Sequence, residues 1–335
     1  MRVSIIGTGL QFGRRAPVIH ESSTDDLISI CGIDTKKLQT LAHKYNCNYD
    51  SDWSNLVQRD DIDVVIITTP PVNHAEIVIS ALENNKHVLC EKPLSMTSSE
   101  AEKMYQVSLK TKKILKCGFN HRHHPAMVNA KKIITSGQVG DLLFARGIYG
   151  ICGREDYKNE WRANPEIAPG GQFIEQGTHM IDLLRWYLGE VDTVASMVSN
   201  HYFIDQDMDD SGFAMFRFKD NNATASFHTS LTQWINTFTL ELYGSNGYIK
   251  IDGLGGGYGD HKLIVGIKDF KAPFNEHVTY FRGGDKSWKN EWLELKTAIK
   301  NNSQPMGNGY DGLQAMKIAE ACYQSDIDQS FIKID

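Results

Sequence analysis

Val3-Ser4-Ile5-Ile6-Gly7-Thr8-Gly9-Leu10-Gln11-Phe12-Gly13 decides the fold. Residues 3–6 read as a buried strand, the glycines as a tight turn, and the segment after them as a helix. In such a turn the first glycine permits the sharp reversal. The second lets the backbone approach a pyrophosphate, which rests on the helix N-terminus. The last glycine comes one position late: Phe12 stands where the usual spacing puts a small residue, so close helix–strand packing lacks its glycine there. A second strand over 27–33 ends at Asp34, about 20 residues beyond Gly13, where a carboxylate accepts hydrogen bonds from an adenosine ribose. Strand, turn, helix, strand and acid together make residues 7–13 and Asp34 candidate contacts of a dinucleotide.

The alternation continues to about residue 120. Residues 62–68 are a nearly pure β-branched run, as expected of a strand covered on both faces. A helix over 74–83, a strand over 87–90, a helix opened by a Thr97-x-x-Glu100 capping box and a strand over 114–119 come next. Strands separated by helix-length segments imply right-handed crossovers and a parallel sheet. After about residue 140, strands succeed one another at 142–149, 193–201, 212–218, 223–229, 237–243 and 248–251, several joined by hairpin signals. Helices at 125–135, 180–188, 288–300 and 312–323 frame them, and the glycine cluster 253–259 reads as a surface loop. The expected architecture is an α/β Rossmann domain, a doubly wound parallel sheet, over residues 1–122. An α+β domain with a large, mainly antiparallel open sheet occupies residues 123–335.

Composition narrows the function classes. The 335 residues carry 35 basic and 41 acidic side chains, a net charge of −6, without the basic footprint of a nucleic-acid binder. No apolar run exceeds four residues, 64–67 among them, far too short to span a bilayer, and no signal-peptide pattern precedes the first strand. The expectation is a cytoplasmic protein with neither nucleic acid nor membrane as partner. Six scattered cysteines form no CxxC pair, which argues against structural zinc and disulfides. His121, His123 and His124 lack the spacing of a metal site, so no metal is expected and they read as residues of a cleft mouth or surface.

Two further clusters carry chemistry. Glu91-Lys92-Pro93 directly succeeds a strand, hence lies at the sheet edge where ligands of open α/β sheets bind. Gly170-Gly171-x-x-x-Glu175-x-x-x-His179-x-x-Asp182 runs from a flexible glycine pair into a helix, on which Glu175 and His179, four apart, share a face. Oxidising a secondary alcohol needs a base for the hydroxyl proton while hydride leaves for a nicotinamide, and histidine titrates near neutrality. Lys92, donating to the same oxygen, would stabilise the developing alkoxide, and Glu175 would fix the imidazole tautomer. Arg122, Arg162 and Gln172 are further candidates for binding hydroxyls or phosphates of a substrate, beside Lys92, Glu175 and His179. Asp34 favours NAD because its carboxylate repels a 2′-phosphate; NADP is the alternative, since Arg14, Arg15, Lys36 and Lys37 either attract one or form a solvated face.

With Gly7 and Gly9, Thr68-Thr69-Pro70-Pro71-x-x-His74, Glu91-Lys92-Pro93, Trp161-Arg162, the glycine-pair motif and Gly309-Tyr310-Asp311-Gly312-Leu313 in order, the sequence resembles the Gfo/Idh/MocA family over essentially its whole length. The resemblance implies an NAD(P)-dependent oxidoreductase with Lys92 as active-site lysine, His179 as catalytic histidine and Glu175 where aspartate is common. It places Asn120 on the nicotinamide side of the pocket, and Thr69, Pro70 and His74 beside the cofactor. Trp161 and Arg162 would close over it, with Glu91 pairing nearby. His121 stands where many members have arginine. The implied substrate is a small polyhydroxylated one: a sugar, a nucleotide-linked sugar of surface polysaccharide synthesis, or a cyclitol. The implied assembly is a homodimer or homotetramer. Two alternatives stay open at this point, an NAD-dependent glycosidase using transient oxidation and a cofactor- or sugar-sensing regulator.

Overall fold

The computed structural model describes residues 1–203, 208–272 and 274–334 and divides into two compact units. Unit 1 comprises Met1–Phe119, Glu166–Pro169 and Trp288–Met316. Its strands are β1 (Arg2–Ile6), β2 (Asp26–Cys31), β3 (Asn48–Asp50), β4 (Val64–Ile67), β5 (His87–Cys90) and β6 (Leu115–Cys117), all parallel, in the order β3-β2-β1-β4-β5-β6. Between them run α1 (Phe12–His20), α2 (Thr35–Tyr45), α3 (Trp53–Val57), α4 (His74–Glu83) and α5 (Ser98–Thr111). This is the doubly wound dinucleotide order, with the reversal beside β1. All four residues of β4 are fully buried, as its β-branched run requires. Thr97 caps α5 by accepting from the Glu100 N–H at 3.2 Å, and the Glu100 carboxylate accepts from the Met96 N–H at 3.0 Å, one residue ahead of the cap.

Phe12 takes over the place that a late glycine leaves. It is buried and meets the Tyr45 ring edge-on at 5.6 Å, so α1 is seated by an aromatic wedge, while a side chain at Gly13 would touch nothing. Unit 1 also includes a return of the chain that a division into 1–122 and 123–335 does not contain. Trp292, Leu295 and Ala298 of the helix Ser287–Asn301 join the core cluster of Val3, Ile5, Ile30 and Ile66, each large side chain gaining about 1.5–3 kcal/mol by burial. Lys116, fully buried, ties β6 to the same return through Glu294 and the Met306 carbonyl. A helix pattern far along the sequence cannot say which sheet it covers.

Unit 2 comprises Asn120–Pro165, Gly170–Ser287 and Lys317–Asp335. It holds α6 (Pro125–Thr135), β7 (Leu142–Cys152), α7 (Gln172–Glu175), α8 (Gly177–Leu188), β8 (Val191–Ser199), β9 (Ser211–Phe218), β10 (Thr224–Ser230), β11 (Thr232–Gly244), β12 (Gly247–Asp252), β13 (His261–Ile267) and β14 (Glu276–Phe281). With the short Ile332–Lys333, they build a nine-stranded sheet that is antiparallel except where β10 pairs with β7. β13 and β14 were not expected; β14 is an edge strand, largely exposed, without the half-buried alternation that betrays a strand. On β9, Phe213, Met215 and Arg217 point outward while Ala214, Phe216 and Phe218 are buried. Among the described residues no helix is long and apolar enough to cross a membrane, and no group of three or more His, Cys, Asp or Glu is arranged to hold a metal ion.

Candidate active site

In unit 1 the candidate residues lie at the ends of β1, β2, β4 and β5. Gly7 leaves β1 at φ +103°, and a Cβ there would lie 2.6 Å from the Thr68 carbonyl carbon, so only glycine lets β1 and β4 approach. At Gly9 a Cβ would meet nothing within 4 Å: backbone is laid open to solvent at the start of α1. Thr8 packs its hydroxyl where a Cβ of Gly32 would sit, at 2.9 Å. The Gln11 side-chain oxygen and the Thr69 hydroxyl are buried without a protein partner, while Leu10 and Ile33 are strongly exposed apolar residues on the same edge. Asp34 is exposed, and one of its oxygens caps α2 by accepting from the Lys37 N–H at 3.0 Å. Orphaned polar atoms, open backbone and exposed apolar flanks on one edge fit a dinucleotide.

Two expectations about this edge change. His74 is fully buried, with ring nitrogens 3.1 Å from the Pro93 carbonyl oxygen and 2.8 Å from that of Thr69. It staples the loop carrying Thr69 and Pro70 to the loop carrying Lys92, and does not itself reach outward. Burial pushes its pKa down against the pull of those carbonyls. Arg15 is no solvated cation: it is 3% exposed, pairs with Glu91 at 2.8 Å and with Glu291, and lies 4.5 Å over the Trp288 ring. Burial opposes its charge, but Glu291 and Glu91 hold its pKa above the ordinary value. Glu91 is pushed up by burial against Arg15's attraction. Glu91 is therefore an anchor under the segment that carries Lys92, which is half-buried at the sheet edge.

In unit 2 the candidate residues lie on the glycine-pair segment and in a group of stacked rings. Asp209, which nothing in the sequence reading singled out, organises the segment. Its buried carboxylate accepts from the Gly171 N–H (2.9 Å), the Phe173 N–H (2.6 Å) and the Tyr323 hydroxyl (2.7 Å), and its carbonyl accepts from the Gln172 N–H (3.0 Å). A Cβ on Gly171 would come within 1.9 Å of that carbonyl oxygen, which is why the pair is glycine here. The signal was a carboxylate just ahead of β9, unreadable without knowing what packs beside it.

The helix after the glycine pair is interrupted at Gln176, so Glu175 ends α7 and His179 stands in the first turn of α8; four-residue spacing on one helix does not apply. Glu175 accepts from Arg162 at 3.4 Å, and Arg162 also pairs with Glu160 and packs 4.4 Å from the Trp161 ring centre. His179 is 4% exposed and stacks on His121, ring centres 3.9 Å apart. Asn120 donates to Ser287 and faces His121 with its oxygen. His121, His123 and His124 are all buried, contrary to the surface reading, because the turn carrying them is packed under aromatic rings. Two substrate candidates turn inward. Arg122 is committed to a buried bidentate pair with Asp182 at 2.6 and 2.8 Å. Gln172 is fully buried, its amide donating to Thr229 at 3.4 Å.

Similarity to known proteins respects the same division. Residues 1–119 match the model of an oxidoreductase family with an NAD-binding Rossmann fold, and residues 127–250 match the GFO/IDH/MocA C-terminal domain. The chain is 40% identical over 155 residues to levoglucosan dehydrogenase of Pseudarthrobacter phenanthrenivorans, a match covering 45% of this chain and 40% of that protein. It thus spans about two fifths of that relative's length. To myo-inositol 2-dehydrogenase of Thermotoga maritima it is 24% identical over 100% of this chain and 99% of that one. A solved levoglucosan dehydrogenase in complex with NADH and levoglucosan has a TM-score of 0.92 at 25% identity, covering 100% and 99% of the two chains.

Proposed function

We propose, for a chain that belongs to the Gfo/Idh/MocA family of oxidoreductases, an NAD-dependent dehydrogenase acting on a secondary alcohol of a sugar or cyclitol. The observation that carries the reading is that unit 1 brings Lys92 to the same sheet edge as the open glycine turn, where Gln11 and Thr69 hold unpartnered polar atoms. NAD, when bound, supplies a nicotinamide that accepts hydride from the carbinol carbon. Gly7, Gly9 and the start of α1 would hold its pyrophosphate, and Asp34 its ribose. Lys92 donates to the carbinol oxygen and stabilises negative charge as it develops. His179 takes the hydroxyl proton and, in the reverse direction, returns it. Glu175, anchored by Arg162, sets the charge around that histidine. Levoglucosan and inositol dehydrogenases among the relatives support free anhydrosugars and cyclitols as substrates, and a dTDP-sugar 3-reductase among them keeps nucleotide-linked sugars in the panel.

The outward face of the nine-stranded sheet supports a homo-oligomer. Met197, Phe213 and Met215, 73%, 56% and 55% exposed, line a groove of about 730 Å³, an apolar patch of the kind that associates. The cytoplasm is the proposed location. The test is to monitor reduced-nicotinamide absorbance with NAD and a panel including levoglucosan and myo-inositol, in the native protein and in Lys92→Ala. A loss of about 10³-fold or more in kcat/KM with NAD affinity nearly unchanged is expected; an unchanged kcat removes Lys92 from the mechanism.

A further inference from the structure

We propose that His121 is a positioning residue for His179: its ring, locked at both nitrogens, presents one face to His179 and confines the stacked pair to a single proton. The proposal rests on the reading of His179 as the base. The two ring centres are 3.9 Å apart with planes 21° from parallel. Asn120 donates through Nδ2 to the Ser287 hydroxyl at 2.9 Å, so its oxygen is the atom facing His121 Nδ1, 3.2 Å away, and that nitrogen donates. His121 Nε2 lies 3.1 Å from the Tyr149 hydroxyl, which shares a further hydrogen bond with Tyr258. Tyr258 sits in the glycine cluster at the end of β12, where Gly253, Gly255, Gly256 and Gly259 all have positive φ. The loop read from composition as mere surface thus reaches, through two hydroxyls, the ring beneath the base.

Two stacked imidazolium rings at this distance repel strongly, so the proton that His179 takes from substrate requires His121 to stay neutral. The surroundings agree. Tyr149 keeps its proton, its pKa raised first by burial. His124, edge-on to His121 at 5.4 Å, is pushed down by burial against the pull of Asp285, 3.8 Å from its Nδ1. His261, edge-on to His124, is lowered by burial to about 4. Asp182 on α8 is matched by Arg122, and Glu175 at the end of α7 by Arg162.

The experiment compares native protein with His121→Phe, His121→Ala and His121→Arg by pH profiles of kcat/KM on a polyol the native protein oxidises, with NAD affinity from fluorescence quenching. Alanine is expected to lower kcat about tenfold or more with NAD affinity within about twofold, and phenylalanine, which keeps a flat face, to recover to within about threefold of native. Arginine, a fixed cation, is expected to move the acidic limb about one pH unit or more lower. Alanine and phenylalanine behaving alike, or a limb unmoved by arginine, overturns the proposal. Independently of any activity, the ¹⁵N-histidine titration of the native protein is expected to show one of the two rings taking up a proton between about pH 9 and pH 5 and its partner none. Protonation of both rings over that range overturns it. Failure of the dehydrogenase reading looks different: no polyol is oxidised, or His179→Ala keeps its kcat, while the single-proton titration stands.

Discussion

Arg15→Met tests the electrostatic core of unit 1. In the native protein one guanidinium faces two carboxylates, Glu91 and Glu291, with all three side chains 5% exposed or less. Removing one partner of a buried pair costs about 3–5 kcal/mol, because the other charge is left buried and uncompensated. Here two carboxylates lose their partner at once, which puts the cost at the upper end, about 5 kcal/mol, against a total stability of about 5–15 kcal/mol. Arg15→Met is therefore expected to sit near the limit of folding, while Glu291→Gln, which removes the surplus negative charge, changes stability by about 1 kcal/mol or less. Glu91 sets the pH dependence. Its folded pKa is raised, so its contribution is fully present below the unfolded value and is lost as pH rises through the folded one. Without Arg15 that pKa climbs further, so the deficit of Arg15→Met is expected to be small near about pH 5 and full near about pH 8. Urea unfolding monitored by tryptophan fluorescence at both pH values measures it. A deficit within about 1 kcal/mol at pH 8, or an equal cost for Glu291→Gln, refutes the reasoning.

Three other outcomes rest on single residues. Asp34→Ala is expected to weaken NAD about tenfold, relax discrimination against NADP, and cost about 1 kcal/mol through the lost α2 cap; cofactor titrations that show no change place ribose recognition elsewhere. Asp209→Ala strands two buried N–H groups and the Tyr323 hydroxyl and is expected to cost about 3–5 kcal/mol in urea unfolding, with Gly171→Ala failing similarly against the Asp209 carbonyl. Met215→Lys places a charge on the open face of the nine-stranded sheet and is expected to shift sedimentation to a smaller species; an unshifted boundary moves the interface to another surface.

The parallel sheet was legible because its strands are buried on both faces and announce themselves as apolar runs: Val64 to Ile67 is the clearest case. Gly7 was legible for the same kind of reason, since its conformation is local. Arg15 was not. From the sequence it belongs with Arg14, Lys36 and Lys37, and only the return of the helix bearing Glu291 and Trp292 shows that it turns inward. Arg122, likewise, reads as a cation awaiting a ligand until Asp182 is found beside it. The spacing of Glu175 and His179 misled because it assumes an unbroken helix, and the break at Gln176 is marked in the sequence only by Gly177 beside it. Asp209 and Tyr258 were invisible for a further reason: they act through partners distant in sequence, Gly171 and Tyr149.

Isotope transfer tests the central claim most directly. A polyol carrying deuterium on the reacting carbinol carbon is incubated with the protein and NAD, and the reduced cofactor is analysed by NMR and mass spectrometry. The account requires deuterium at C4 of the nicotinamide, one equivalent for each ketone formed, with label appearing about 10³-fold more slowly in Lys92→Ala than in the native protein. Ketone formed without label in the cofactor, or bound NAD that stays oxidised with every polyol offered, contradicts it.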